Sequence, residues 1–267
     1  MRWLLFIGLL ASSLCAQVVP ELRQKIPLSQ PVEHFAVDQF GNLYLVDQGQ
    51  VQKRSPQGEV QQTYSNPLLG DISKVDALNP LRPLLFYEPV NSLVLLDNRL
   101  NPSREINLLD YGLADPQLVT YGDQDHLWIY DQSQDLLLRY GINSGRESYR
   151  TGQITQLIEE ENQPVDIFSS YDQVVLHTAK RGALLFDAQG SYRRRIPLPD
   201  SSRVAFHNYR LVSLTRDGGL RLYDLKKGLR LAGLLPGAPA QQVALEGNQL
   251  YVLRPQELAV YELQVEP

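Results

Sequence analysis

From residue 35 to residue 263 the chain alternates short apolar runs with turn residues, and no stretch of helical period is long enough to build a substantial helix. The pattern is clearest in FAVDQFGNLYLVDQGQVQKRSPQGEV, which starts at Phe35. A short apolar strand meets a turn at Gln39-Phe40-Gly41-Asn42, and a second strand follows over residues 43–46. Asp47-Gln48-Gly49 turns the chain into a third strand through Val51, and Pro56-Gln57-Gly58 leads to a polar fourth strand from Glu59. Gly and Asn supply the positive φ that tight hairpins require.

The same order recurs about every 40 residues, the period of propeller blades. Further copies begin near Lys74, Leu118, Val165, Arg203 and Gln242. Second strands such as Leu43-Tyr44-Leu45-Val46 and Leu127-Trp128-Ile129-Tyr130 are apolar nearly throughout, as in sheets covered on both faces. Fourth strands carry charge at Arg104, Glu105 and Arg193-Arg194-Arg195, which suits a solvated outer edge that resists pairing with other chains. The sixth copy stops one strand short. Upstream, LRQKIPL at residues 22–28 echoes YRRRIPL at residues 192–198, the fourth strand of the fourth copy. These patterns predict an all-β fold, a six-bladed β-propeller over residues 17–267, in which an N-terminal strand pairs with residues 257–263 and completes the last blade. Residues 155–161 (TQLIEEE) are expected to form a surface loop with one or two helical turns at most.

The first copy resembles an NHL repeat, on Val37-Asp38, Gly41-Asn42, Tyr44-Leu45-Val46-Asp47, Lys53-Arg54 and Gly58. Elsewhere the likeness thins to short echoes such as Trp128-Ile129-Tyr130-Asp131. The resemblance is one of architecture. It implies a scaffold for protein, peptide or ligand binding, and the family's lactonases, lyases and quinoprotein-like enzymes keep catalysis open as a second reading.

Arg2, an apolar run from Trp3 to Leu14, and the small Ala16 read as a signal peptide over residues 1–16, too short for a permanent span of about 20 residues. The chain is therefore expected to be exported, periplasmic or associated with the outer membrane. Cys15, the single cysteine, offers lipid attachment as an alternative to plain cleavage, although Leu14 stands where a small residue is usual. A net charge of −5 argues against a nucleic-acid partner.

Four His residues, His34, His126, His177 and His207, fall at unrelated places in the copies and predict no tri-histidine metal centre. Asp38, Asp76 and Asp166 are expected at equivalent places on innermost strands, where half a ring of carboxylates would hold calcium; turn-capping is the competing role. No other cofactor is indicated. The second copy replaces its glycine turns by Asn79-Pro80-Leu81-Arg82-Pro83 and Asn98-Arg99-Leu100-Asn101-Pro102. Both loops are expected on one face, presenting Leu81, Arg82, Arg99 and Leu100 together, with Phe40 extending the patch. Apolar anchors bracketed by Arg suit a protein interface. The leading expectation is a non-catalytic scaffold that engages a protein partner in the cell envelope; the alternative is a calcium-dependent propeller hydrolase or lactonase working in the channel.

Overall fold

In the computed structural model residues 16–158, 163–170, 172–180, 182–199 and 202–266 are described. The expected signal peptide and Cys15 lie outside these residues. Among the described residues twenty-four strands, all joined as antiparallel neighbours except for one contact, make the fold an all-β propeller. Four sheets have four strands each, in sequence order from the channel outward. They are β2 (His34–Val37), β3 (Leu43–Asp47), β4 (Gln50–Arg54) and β5 (Val60–Ser65); then β6 (Lys74–Asp76), β7 (Leu84–Tyr87), β8 (Ser92–Leu96) and β9 (Pro102–Asn107). Next come β10 (Pro116–Tyr121), β11 (His126–Asp131), β12 (Leu136–Gly141) and β13 (Glu147–Arg150), followed by β14 (Pro164–Ser170), β15 (Gln173–Thr178), β16 (Gly182–Asp187) and β17 (Tyr192–Ile196).

The remaining strands form one eight-stranded sheet. It contains β18 (Arg203–His207), β19 (Arg210–Leu214), β20 (Gly219–Asp224) and β21 (Leu229–Leu234), then β1 (Gln17–Pro27), β24 (Glu257–Glu266), β23 (Gln249–Arg254) and β22 (Gln242–Glu246), in that spatial order. The junction between its halves is a single parallel bridge, Gln17 to Ala232. Gly233 makes this approach feasible, because a side chain there would collide with the Val18 carbonyl. By contrast, β1 and β24 run antiparallel over their whole length, from Gln17 opposite Glu266 to Pro27 opposite Glu257.

Core side chains gather in six clusters among the described residues, each between neighbouring groups of four strands. β1 contributes to two of them. Val18 packs with Val243, Val252 and Leu263 against the β18–β21 group, whereas Ile26 packs with Leu258 and Val260 against Phe35 and Leu43. Residues 18 and 26 have the same parity, so an uninterrupted strand would point both to one face. The β1–β24 register shifts by one residue between Leu22 and Gln24. Arg23 is the extra residue of this bulge, and it sends the two ends of β1 into opposite clefts. The segment from Gln17 to Glu21 extends the strand beyond the motif seen in the sequence.

The short acidic segment holds a 3-10 turn, Ile154–Gln156, with Ile154 and Ile158 buried; residues 159–162 lie outside the described residues. Charge does sit on the exposed outer edge of β17, where Arg193 pairs with Asp187 at 2.5 Å.

The bulge yields a sharp test. Arg23 makes ion pairs with Glu21 and Glu262 at 2.7 and 2.6 Å, but they are exposed, so Arg23→Ala costs under about 1 kcal/mol. Deleting Arg23 instead forces either Val18 or Ile26 out of its cleft and costs about 2–5 kcal/mol. Urea denaturation of the two variants separates these outcomes.

Candidate functional site

The six innermost strands β2, β6, β10, β14, β18 and β22 surround a cavity of about 940 Å3. Each starts at one mouth, called upper here, and ends at the lower mouth. Successive innermost strands touch round the ring, β22 against β2 included. The Gln242 side-chain amide ties that last pair: Phe35 N–H donates to its Oε1 at 2.8 Å, and its Nε2 donates to the Phe35 carbonyl at 3.0 Å. It thus supplies to the Phe35 backbone the pair of bonds that a neighbouring strand would make.

The upper part of the channel is crossed by Lys74. From the start of β6 it passes the intervening β10 and reaches β14, where Nζ donates to Asp166 Oδ1 at 2.6 Å and to the Ile167 carbonyl at 2.5 Å. The ammonium also lies 5.4 Å from the Phe168 ring centre. Next to this strut, burial pushes the His177 imidazole below its ordinary pKa, and Arg203 adds to that while Asp166 opposes it.

The three aspartates expected to be equivalent are not. Asp76 pairs with Leu84, the first residue of its second strand, whereas Asp166 pairs with His177, the penultimate residue of its own. They therefore stand toward opposite mouths, because β6 has three residues and β14 seven, so counting from the strand start misplaces the carboxylate. Asp38 and Asp76 share the lower end but are committed to protein donors. Asp38 accepts from Phe40 N–H, Asn42 and the Tyr44 hydroxyl. Asp76 accepts from Leu78 N–H, the Thr120 hydroxyl and Tyr121 N–H. Among the described residues no group of three or more His, Cys, Asp and Glu comes together in a metal-holding arrangement.

The lower mouth contains a pair that was not singled out from sequence. His207 ends β18, Glu246 ends the adjacent innermost strand β22, and Nδ1 of the first lies 3.2 Å from Oε2 of the second. Burial raises Glu246 from the ordinary 4.5 to about 7, and the nearby Asp38 charge adds to the shift. Burial and the Arg210 guanidinium push His207 the other way, so both groups are drawn toward their neutral forms. The signal was present in the repeat: RVAFH and QVALE put His207 and Glu246 at the same fifth position of successive copies.

Around this mouth three large apolar side chains face solvent. Phe40 is 64% exposed, Leu81 69% and Leu78 39%, and all three line the channel opening. Their turns are fixed by side-chain caps. Asp38 holds Phe40 N–H at 2.9 Å, Asp76 holds Leu78 N–H at 2.8 Å, and Asn79 Oδ1 holds Leu81 N–H at 3.1 Å. Arg82 is half-buried with its guanidinium on the Gln124 carbonyl, and Tyr121 Oη donates to the Arg82 carbonyl at 2.5 Å. Arg82 is thus partly structural.

Leu100 departs from expectation. It is 3% exposed and packs with Leu96, Val51 and Val46 rather than beside Leu81. Its turn is the one used elsewhere with glycine. Asp97 Oδ1 accepts from Arg99 N–H and Asn101 N–H, both at 2.8 Å, as Asp187 does from Gln189 and Ser191. The fourth residue has φ +81° at Gly190 and +61° at Leu100. A leucine accepts this left-handed backbone because its side chain turns inward and gains burial. Arg99 remains exposed on that turn, away from the channel lining.

No protein-family model matches the chain, and no curated protein matches it in sequence. Solved structures match it in fold. The WD40 domain of Neurospora crassa Pan2 is 13% identical with a TM-score of 0.60, over 85% of this chain and 73% of that one. BBS1N in complex with ARL6DN is 12% identical with a TM-score of 0.58, over 89% and 79% of the two chains. BamB from Moraxella catarrhalis is 12% identical with a TM-score of 0.50, over 83% and 69%. Identity at this level carries the architecture alone, a β-propeller.

The neutral preference of Glu246 has a measurable consequence. The folded protein holds its proton more tightly than the unfolded chain, so this group's contribution to stability falls as pH rises from 4.5 to about 7 and stays low above that. Glu246→Gln is therefore expected to match the wild type near the acid end of that window and to exceed it by about 1–3 kcal/mol above pH 7. His207, Asp38, Arg210 and Tyr251 remain in both proteins, so the difference between their unfolding curves at the two pH values isolates the carboxyl.

Proposed function

We propose that this chain is an exported, non-catalytic binding scaffold of the cell envelope, an NHL-like propeller of six blades that takes a protein partner at its lower channel mouth. In this reading the eight-stranded sheet divides at the Gln17–Ala232 bridge into two blades, and β1 closes the ring as the outer strand of the last. The six core clusters and the contact between β2 and β22 support that count. The apolar run over residues 3–14 supports export.

One observation carries the binding site. Phe40, Leu78 and Leu81 are exposed on turns whose amides are already capped, so a partner meets apolar anchors whose backbone needs little ordering. Exposed apolar residues clustered at the rim of a concavity are the usual mark of an interface. Of the structural neighbours, BBS1N is described in complex with a protein, ARL6DN. Arg82 flanks the anchors, while exposed Arg99 and buried Leu100 stand on the turn between β8 and β9, outside the channel lining.

The reading is tested by replacing Phe40 and Leu81 together with Asp. Both side chains are largely exposed, so the melting temperature should stay near that of the wild type. Crosslinking and co-purification from the native envelope should lose the partner captured by the wild-type protein. Unchanged capture by the double variant sinks this site. These residues are better probes than Arg82, whose replacement also removes its bond to Gln124.

A further inference from the structure

The outer edges of the strand groups are not alike. A strand edge offers unpaired N–H and C=O groups to any extended segment, and proteins usually blunt such edges with charge, proline or cover. Among the described outer strands, β9 carries Pro102, Arg104 and Glu105; β13 carries Glu147 and Arg150; β17 carries three Arg. β21 carries Arg230 and is partly covered by Gln17 of β1, while β1 itself carries Pro20, Arg23 and Lys25. Only β5, Val-Gln-Gln-Thr-Tyr-Ser, has neither a charge nor a proline. It ends its sheet with β4 as its one strand neighbour. A bulge at Gln61 disturbs its start, and Gln62 to Ser65 continue in regular register.

Exposed apolar side chains bracket this edge. Val60 is 56% exposed at its start, and Leu68, just past its end, is 93% exposed, the highest value among the described large hydrophobic residues. Leu68 sits on a short turn in which Asn66 Oδ1 accepts its N–H at 3.1 Å and the Asn66 carbonyl accepts from Leu69 N–H. Leu69 packs toward the core and Leu68 is left outside.

We infer that β5 is a self-association edge: two copies of this chain pair antiparallel through β5, joining two four-stranded sheets into one of eight. The occupant is a second copy because the strip is complementary to itself. A two-fold axis at Tyr64 sets Thr63 opposite Ser65 across the regular part of the strand, neutral against neutral, with no like charges facing each other. The same operation on β17 would set three Arg against three Arg. A contact of one short strand belongs to the weak class of interfaces, so the dimer is expected at high protein concentration.

Sedimentation velocity over a concentration series tests this on the purified protein. The wild type should shift from monomer to dimer. Thr63→Lys with Ser65→Lys, and separately Thr63→Glu with Ser65→Glu, place like charges opposite each other and should each raise the dissociation constant by about tenfold or more. Mixing the Lys pair with the Glu pair should restore a dimer of one copy of each. Both positions are exposed, and unchanged melting curves confirm that the variants fold. A wild type that stays monomeric at several hundred micromolar overturns the proposal. So does a mixture that fails to recover the dimer. Loss of a co-purifying foreign protein in the variants, with sedimentation unchanged, would assign the edge to another chain's strand and overturn it equally.

Discussion

The ladder between β1 and β24 is the constraint on which the rest of the molecule depends. Without it the sheet containing β22, β23 and β24 would have three strands, and two core clusters would each lack a member. Val18 fills the cleft toward β18–β21, and Ile26 fills the cleft toward β2–β5. One strand does both because a single inserted residue reverses its facing halfway along. A blade cannot bury both faces without neighbours on each side, so a defect in this strand would loosen both of its flanking interfaces.

Rigid neighbouring sheets leave the turns to carry differences between copies, and the turns are organised by a repeated device. A short polar side chain accepts two amide hydrogens from the residues that follow, as Asp38, Asp97 and Asp187 do, and Ser55 does the same for Gln57 and Glu59. The fourth residue then adopts positive φ. Gly58 has φ +92°, and a methyl group there would lie 2.7 Å from Ile26 Cγ2, so this turn also sets how closely β1 approaches the first sheet. Leu100 obeys the same geometry at the cost of backbone strain, offset by burial of its side chain. The device spends the carboxylates on the backbone, which is why the aspartates near the lower mouth do not converge as ligands.

Much of the architecture was legible because a blade writes its periodicity into sequence. Fully apolar second strands and charged outer strands reported which positions face neighbouring sheets and which face water. The echo between residues 22–28 and 192–198 located the strand that pairs with β24. Its extension over residues 17–21 was not legible, since the echo of residues 192–198 begins only at Leu22, and nothing in a single sequence announces the bulge at Arg23. Site residues divided by mechanism. Phe40 and Leu81 were recognisable as apolar residues on turns. Leu100 was misplaced because its inward direction depends on a backbone dihedral that the other turns assign to Gly. The aspartates were misplaced because strand length varies from three residues in β6 to seven in β14, and height in the channel depends on pairing with the second strand. The reach of Lys74 to Asp166 emerges only when separate copies are brought face to face, whereas the shared fifth position of RVAFH and QVALE already aligned His207 with Glu246.

The channel also acquires a direction that its repeated construction does not require. Near its upper end Lys74 ties the second sheet to the fourth across the third, so the wall there is braced by an ion pair, two hydrogen-bond acceptors and an aromatic face. At its lower end Asp38 and Asp76 are consumed in turn caps, Glu246 and His207 are held toward neutrality, Asp123 is ion-paired with Arg139 and His126, and Phe40, Leu78 and Leu81 stand exposed on the rim. A macromolecule covering the first two turns of the lower mouth meets several apolar anchors there, whereas one entering the upper mouth would have to break or accommodate the Lys74 strut. Desolvating an established ion pair is expensive and covering exposed Phe and Leu is favourable. The same comparison separates β5 from the Arg-lined edges elsewhere on the ring. Covering apolar or uncharged surface is favoured over stripping charge of water, and the Phe40–Leu78–Leu81 rim and the β5 edge both lie on the first two sheets.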